Sequence, residues 1–490
     1  MTDPAKDSTD NHAHADHRHQ DPHHSLNLTA LLICVALGVL GWFCPHPEGI
    51  TPQGWHLLVI FIITILSLII KPLPMGAVAM IALMIAVLTK TMTMEQAFTA
   101  FNSDVVWLVV FALFIAKGFN VTGLDKRIGY FFTALLGKKT LGLSYGLMIT
   151  DLVLAPALPS VTGRSSGIVY PILHAIATSY KSFPHTDSAR KIGAFLTVTA
   201  FQVTVITSTM FMTAMAANPI LADLTHKQNL TLSWTDWALA GCVPGLVSLI
   251  LIPWFIYKIY PPEIKETPDA QSIAKRELKA LGKMHKQEWI MALTVVVLLT
   301  LWIFGKELGI KVVIAAMVGL TILLVTGVLE WKALVRIHDA WETFVWFCVL
   351  ILLAGMLKDY GVLNWFTENV QGHFAGLHWK YAFPILALIY FYSHYFFASS
   401  TAHVTSMFPA FLGLSLALGT PPMLAVFILI FFSNLFGGIT HYSLAPAPLL
   451  YGVGYVDIKD WWKIGFYTSV INIIIWSTLG VMWWKFLGFW

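Results

Sequence analysis

Charge is what this chain has least of. Only 11% of its 490 residues are Asp, Glu, Lys or Arg, against roughly 25% in an ordinary soluble domain. That is too little polar surface to cover a water-soluble globule of this length. Cysteine is equally scarce. The four present, Cys34, Cys44, Cys242 and Cys348, lie in or beside apolar runs; they are too few for a disulfide scaffold and read as small buried hydrophobes. The formal net charge of +4 is dispersed along the chain and leaves no footprint for nucleic acid. Catalytic patterns are missing too. No phosphate-binding loop could feed ATP into the protein, and neither a paired-histidine zinc motif nor a nucleophile elbow occurs. An ATP-driven pump and an enzyme are both disfavoured, and no cofactor or resident metal is called for.

What the chain does have is apolar length: 57% of it is hydrophobic. Crossing a hydrocarbon core of about 30 Å takes about 20 apolar residues. Such windows fall near 26–44, 53–71, 73–90, 103–118, 141–159, 165–180, 191–217, 235–257 and 289–305, then near 309–328, 341–357, 380–398, 402–418, 421–440 and 464–488. Unbroken runs of this kind exclude a transmembrane β-barrel, whose segments are short and alternating. The fold class is therefore all-α and polytopic.

Basic residues gather at 258–288 (Lys258, Lys265, Lys275, Arg276, Lys279, Lys283, Lys286), at Lys126, Arg127, Lys138 and Lys139, and at Lys181, Arg190 and Lys191. Positive clusters near span ends mark the cytoplasmic side. All three can lie inside only if the window pairs 141–159/165–180 and 380–398/402–418 each enter and leave on one face. This predicts about eleven crossings, two re-entrant helical hairpins, a cytoplasmic N-terminus and an external C-terminus in the cell's inner membrane. Residues 1–25 are polar and His-rich and read as a disordered cytoplasmic tail; a His tract of this kind can also hold a transition metal. The first span occupies 26–52. Repeat 1 covers 53–257 with a cytoplasmic hairpin at 141–180, the polar loop is 258–288, and repeat 2 covers 289–490 with an external hairpin at 380–418. The amphipathic stretches 124–138 and 362–377 read as interfacial helices.

The repeat assignment comes from the residues. NSDVVWLVVFALFIAKGFNVTGL, from Asn102, matches WETFVWFCVLILLAGMLKDYGVL, from Trp341, with Trp107 on Trp346 at an offset of 239. The same offset puts Ser160 on Ser399, Thr162 on Thr401 and Arg164 on His403. Further on, Thr213 to Pro219 answers Thr440 to Pro446. Inverted repeats with interrupted apolar segments at matching places are the signature of an alternating-access transporter.

At the hairpin tips stand Ser160-Val161-Thr162 and Ser399-Ser400-Thr401. Hydroxyls and half-helix N–H groups at such a break form an anion site, with the positive end of the helix dipole facing the ligand. Two tips meeting near the midplane would hold one carboxylate each, hence a di- or tricarboxylate. Arg164, His403, Thr213, Asn218, Thr440 and His441 join them as candidate substrate-binding residues. Asp151 and His394, on the hairpin arms, read as partners of neighbours more than as coupling groups.

PSVTGRSSGIVYPI at 159–172, TSTMFMTAMAANP at 207–219, SSTAHVTSMFP at 399–409 and GGITHYSLAPAP at 437–448 resemble the divalent anion:sodium symporter family. Within it, the chain resembles the branch of bacterial citrate/succinate and tartrate/succinate antiporters and plastid 2-oxoglutarate/malate translocators. The resemblance implies a homodimer, a substrate such as succinate, malate, tartrate, citrate or 2-oxoglutarate, and a Ser-Asn-Thr triplet at each tip. Neither triplet here contains the asparagine that would ligate sodium. A fixed guanidinium behind one tip and an imidazole behind the other could supply the charge that sodium supplies elsewhere. The expectation is sodium-independent antiport, with a sodium- or proton-coupled symporter as the alternative.

Overall fold

A computed structural model describes residues 27–372 and 377–490; the His-rich tail and the end of the 362–377 segment lie outside the described residues. Within them, regular structure is helical apart from one isolated bridge between Lys139 and Glu266. Helices satisfy their backbone groups internally, which lipid requires. Seven are long and apolar enough to cross a bilayer: 52–70, 104–122, 193–210, 234–259, 286–303, 338–359 and 458–486. Shorter apolar helices lie at 28–43, 75–88, 140–154, 312–325 and 422–438. The chain folds as an all-helical, multi-span membrane protein.

Local chemistry sets where the helices begin. Asn27, Thr51 and Ser103 each accept a hydrogen bond from the backbone N–H three residues on, satisfying donors that a helix start leaves open. Gly123 and Gly361 end equivalent helices with φ of +76° and +75°, a left-handed turn that glycine adopts without a Cβ penalty. Each swings the chain from a long helix (Asp104–Thr122, His338–Asp359) into an amphipathic one (Leu124–Leu136, Val362–Gln371).

The order of elements then repeats. A helix pair follows in each half: Thr140–Leu154 with Tyr170–Ser179, and Trp379–Tyr392 with Ser400–Ala417. After each pair comes a broken helix: Gly193–Met210 then Asn218–His226, and Pro422–Leu435 then Ala447–Gly452. Two further details escape the hydropathy pattern. Ser165–Val169 is a π-turn between the first tip and Tyr170, and the polar stretch 258–288 contains a helix, Pro268–Ala280. That stretch is pinned beneath the first pair. Arg127 pairs with Glu288 at 2.6 Å and donates to Gly282 O, while the Thr140 hydroxyl donates to Ile264 O.

Gly193–Met210 is the axis of the molecule, buried over its full length. Its buried Thr197, Thr199, Gln202, Thr204, Thr207 and Ser208 would be a poor face for lipid. They form an internal polar seam. Gln202 donates to Gly438 O at 2.8 Å and accepts from Thr468 at 2.9 Å, tying the axis to the second break and the last long helix. The second break presses on that helix at Gly465, where a Cβ would stand 2.6 Å from Gly438 O.

Candidate substrate site at the helix breaks

Four interruptions of helix carry the candidate residues: two tips, 155–160 and 397–399, and two breaks, 211–217 and 436–446. At the first tip the Ser160 hydroxyl accepts from Gly163 N at 3.0 Å and starts a short turn over Val161–Arg164. Ser160 and Thr162 are partly exposed and Val161 is buried. At the second tip, Ser399 accepts from Ala402 N at 3.3 Å, Ser400 donates to Ser443 O at 2.9 Å, and Thr401 is partly exposed.

Arg164 is fully buried, with 0% exposure, so it does not reach out to a membrane surface. Its Nε donates to Asp151 Oδ1 at 3.1 Å, Nη1 to Leu158 O and to Ala214 O at 2.6 Å, and Nη2 to Ser208 Oγ at 2.8 Å. A guanidinium has five N–H donors; four are thus engaged, by an arm, a tip, a break and the axial helix. Asp151 also accepts from the Thr207 hydroxyl. The pair is formally neutral, an outcome that scanning for lone charges does not reveal. The cage around the cation consists of two backbone carbonyls, a hydroxyl and a carboxylate, the oxygen set that hard metal cations take.

The equivalent place in the second half holds no ion pair. At the 239 offset Asp151 corresponds to Tyr390 and Arg164 to His403. Tyr390 bonds Ser433 Oγ at 2.6 Å, and its ring centroid lies 4.9 Å from that of His403. His403 Nδ1 faces His394 Nδ1 at 3.0 Å and its Nε2 faces Ser393 Oγ at 3.1 Å. Protons follow from the acceptors. His394 Nε2 meets Ser443 O at 2.9 Å, and a carbonyl only accepts, so this nitrogen carries the hydrogen and the neutral ring accepts at Nδ1. His403 Nδ1 therefore donates. Its Nε2 can accept from Ser393 or, when protonated, donate to it, since the Ser393 hydroxyl is also within 2.8 Å of Tyr390 O.

The breaks meet at two asparagines. Asn218 donates to Ser208 O at 2.8 Å and Phe211 O at 3.0 Å, and its Oδ1 accepts from Asn434 Nδ2 at 2.8 Å. Asn434 lies outside the sequence-derived candidates, although it directly precedes the second interruption. Among the described residues its buried Oδ1 has no partner, and neither do the hydroxyls of Thr197, Thr199 and Thr204 or Asn472 Oδ1. Thr213 donates to Pro156 O at 2.6 Å and accepts from Trp234 at 3.0 Å. Thr440 Oγ1 accepts from Tyr442 N at 3.4 Å, and His441 Nδ1 accepts from Trp462 at 3.0 Å. These last three are engaged by protein, each within its own half.

Two cavities lie beside the long helices Asp104–Thr122 and His338–Asp359. One, of about 190 Å³, is lined by Ser160, Gly163 and Arg164 together with Leu113, Ala116, Lys117 and Asn120. The other, of about 310 Å³, is lined by Leu352, Gly355, Met356 and Asp359 beside Lys227 and Asp223. Positions 113, 116, 117 and 120 map onto 352, 355, 356 and 359 at the 239 offset. The two halves thus build equivalent cavities, and the first reaches a tip.

Comparisons with known proteins agree with this architecture. The chain is 48% identical over 472 residues to "Dicarboxylate transporter 1, chloroplastic" of Spinacia oleracea, covering 96% of this chain and 83% of that one. It is 33% identical over 476 residues to the "Citrate/succinate antiporter" of Escherichia coli, covering 93% and 97%. Among solved structures, Neisseria gonorrhoeae MtrF has the same fold, with a TM-score of 0.58 at 14% identity over 92% of this chain and 97% of that one. The family described as "Sodium:sulfate symporter transmembrane region" matches residues 25–490. The chain belongs to that family of transporters, the divalent anion:sodium symporters.

Proposed function

We propose that this protein exchanges di- or tricarboxylates across the membrane by alternating access, without sodium. The observation that carries the reading is the buried Arg164–Asp151 pair, with Arg164 held among Leu158 O, Ala214 O and Ser208 Oγ. A cation of the protein already sits in an oxygen cage beside the first tip. A side chain travels with the carrier and returns with it, so it gives no net ion flux and cannot be driven by an ion gradient. Substrate is then the only species that comes and goes. The carboxylate-named relatives support the substrate class. In this reading the two helix pairs are re-entrant hairpins entering from opposite faces, the basic clusters lie in the cytoplasm with the N-terminus, the C-terminus is external, and the protein is a homodimer. Ser160, Val161, Thr162, Ser399, Ser400 and Thr401 take the two carboxylates. Arg164, paired with Asp151, and His403, bonded to His394 and Ser393, order the two tips from behind, and Thr213, Asn218, Thr440 and His441 shape the breaks. The paired cavities are the two access routes.

Exchange follows from the energetics of an empty site. Closing around partly exposed Ser160, Thr162 and Thr401 without a ligand strands their hydroxyls in low dielectric, at about 1–3 kcal/mol each. A bound dianion satisfies them, so loaded carriers reorient faster. Purified protein in liposomes should take up labelled succinate at least about tenfold faster with unlabelled succinate inside, a ratio needing only ~1.4 kcal/mol between barriers. Equal uptake into empty and loaded vesicles would refute exchange.

A second reading, proton-coupled symport, is favoured by the facing imidazoles of His394 and His403. It predicts uptake into empty vesicles driven by an inward proton gradient and lost in His403→Asn. Under exchange, His403→Asn lowers the rate and flattens its pH profile while leaving the need for internal substrate intact.

A further inference from the structure

Away from both breaks, where the end of the Trp234–Ile259 helix meets the start of the last long helix, a cleft of about 450 Å³ opens. Arg190, Tyr260, Asp460 and Lys463 line its polar side, and Ile259 and Tyr467 its apolar side. The Arg190 guanidinium carbon stands 3.6 Å from the centroid of the Tyr260 ring; the group gives one N–H to Pro261 O at 3.4 Å and is also engaged by the Tyr260 phenol. Its remaining N–H groups form no other hydrogen bond among the described residues. Exposed Lys463 forms no ion pair among the described residues. Asp460, the one acid in the lining, is directed at the Tyr260 phenol and pairs with neither cation within 4 Å among the described residues. Two cations uncancelled by contact, one stacked and fixed, the other mobile, make a phosphate-binding geometry.

The surroundings narrow the ligand. Ile259 and Tyr467 are exposed, and so are Ile250 and Trp254 on one helix and Phe466 on the other. Exposed apolar side chains therefore occur on both walls of the cleft. The cleft also lies at the same end of the helices as the lysine-rich stretch 258–288, which begins at the tip of one of its walls. A soluble metabolite would gain nothing from the exposed Ile259 and Tyr467, whereas an anionic lipid would lay its acyl chains against them. Basic pockets between spans on the side of the positive loops suit such headgroups.

We propose that this cleft binds the phosphate headgroup of an anionic phospholipid between Arg190 and Lys463. Free phosphate shares the headgroup chemistry, so the test separates the two. Purified full-length protein in detergent is titrated with phosphatidylglycerol, phosphatidylcholine or inorganic phosphate, with binding read by native mass spectrometry and by the unfolding midpoint. Phosphatidylglycerol alone should bind and stabilise the wild type. Arg190→Gln and Lys463→Gln should each weaken it about fivefold, while Lys275→Gln, exposed on the 268–280 helix, should leave it unchanged. Lys463 is a surface side chain, so its variant reports on the site even if Arg190→Gln perturbs the fold. Unchanged phosphatidylglycerol binding in Lys463→Gln, equal retention of phosphatidylcholine, or equal stabilisation by inorganic phosphate would each overturn the proposal.

Discussion

Arg164→Ala is expected to abolish exchange and to lower the unfolding midpoint in the same protein. The substitution leaves Asp151, buried to 1%, with a hydroxyl and no cation, and strips Leu158 O and Ala214 O of their donor. Breaking a buried pair from one side typically destabilises by about 3–5 kcal/mol, because the surviving charge has no compensation. The second substitution separates stability from function. In Arg164→Ala/Asp151→Asn no charge is stranded, so most of the lost stability should return while exchange stays absent. Asp151→Asn alone should be destabilised as well, since it leaves the guanidinium unbalanced. Thermal unfolding in detergent, beside uptake in liposomes, gives both readouts. Exchange at near-normal rate in Arg164→Ala would remove the guanidinium from the mechanism. A double variant as unstable as the single would show that the pair is not what holds the tip.

The second large effect is an absence of response to sodium. A sodium ion between tip and break needs several oxygen ligands, and here the carbonyls of Leu158 and Ala214, the Ser208 hydroxyl and the Asp151 carboxylate already serve Arg164. An incoming ion would have to displace a guanidinium from four hydrogen bonds, one of them to its counter-ion. In the other half the equivalent position is an imidazole between His394 and Ser393, whose ring nitrogens face one another and leave no ring of oxygens. Neither half presents the asparagine that the family resemblance associates with sodium at the tips. Under the proposed exchange the carrier draws on the gradient of its counter-substrate, and replacing sodium by a bulky organic cation should not slow it.

Much of this was legible in the residues. Trp107 and Trp346 anchor the repeat because the flanking apolar helices are long and alike. The tips announce themselves because hydroxyl residues and glycine interrupt runs that lipid would otherwise keep apolar. The partner of Arg164 is a different matter. Asp151 stands on the opposite arm, and only the turn at 155–160 brings the two together; no local pattern encodes a salt bridge that closes across a tip. Backbone carbonyls such as Leu158 O and Ala214 O carry no side-chain signature at all. The repeat hides the pair further, since its second copy holds Tyr390 in place of Asp151, a phenol for a carboxylate. Asn434 was within reach, as an amide at the edge of an interruption, but its bond to Asn218 joins the two halves and depends on how they pack. The helix at 268–280 is hidden in the hydropathy pattern because it buries only small residues, Ala270 and Ala274, and its ties, Thr267 to Gly137 O and Gln271 to Ala134 O, join positions far apart in the chain.

The central claim is that the protein's own cation stands where a transported one would otherwise bind. It is tested most directly by measuring succinate/succinate exchange in liposomes, loaded inside, across a titration of sodium against choline at fixed ionic strength. The account predicts one rate throughout, including the sodium-free end. A saturable rise in rate with sodium, absent with potassium, would contradict it.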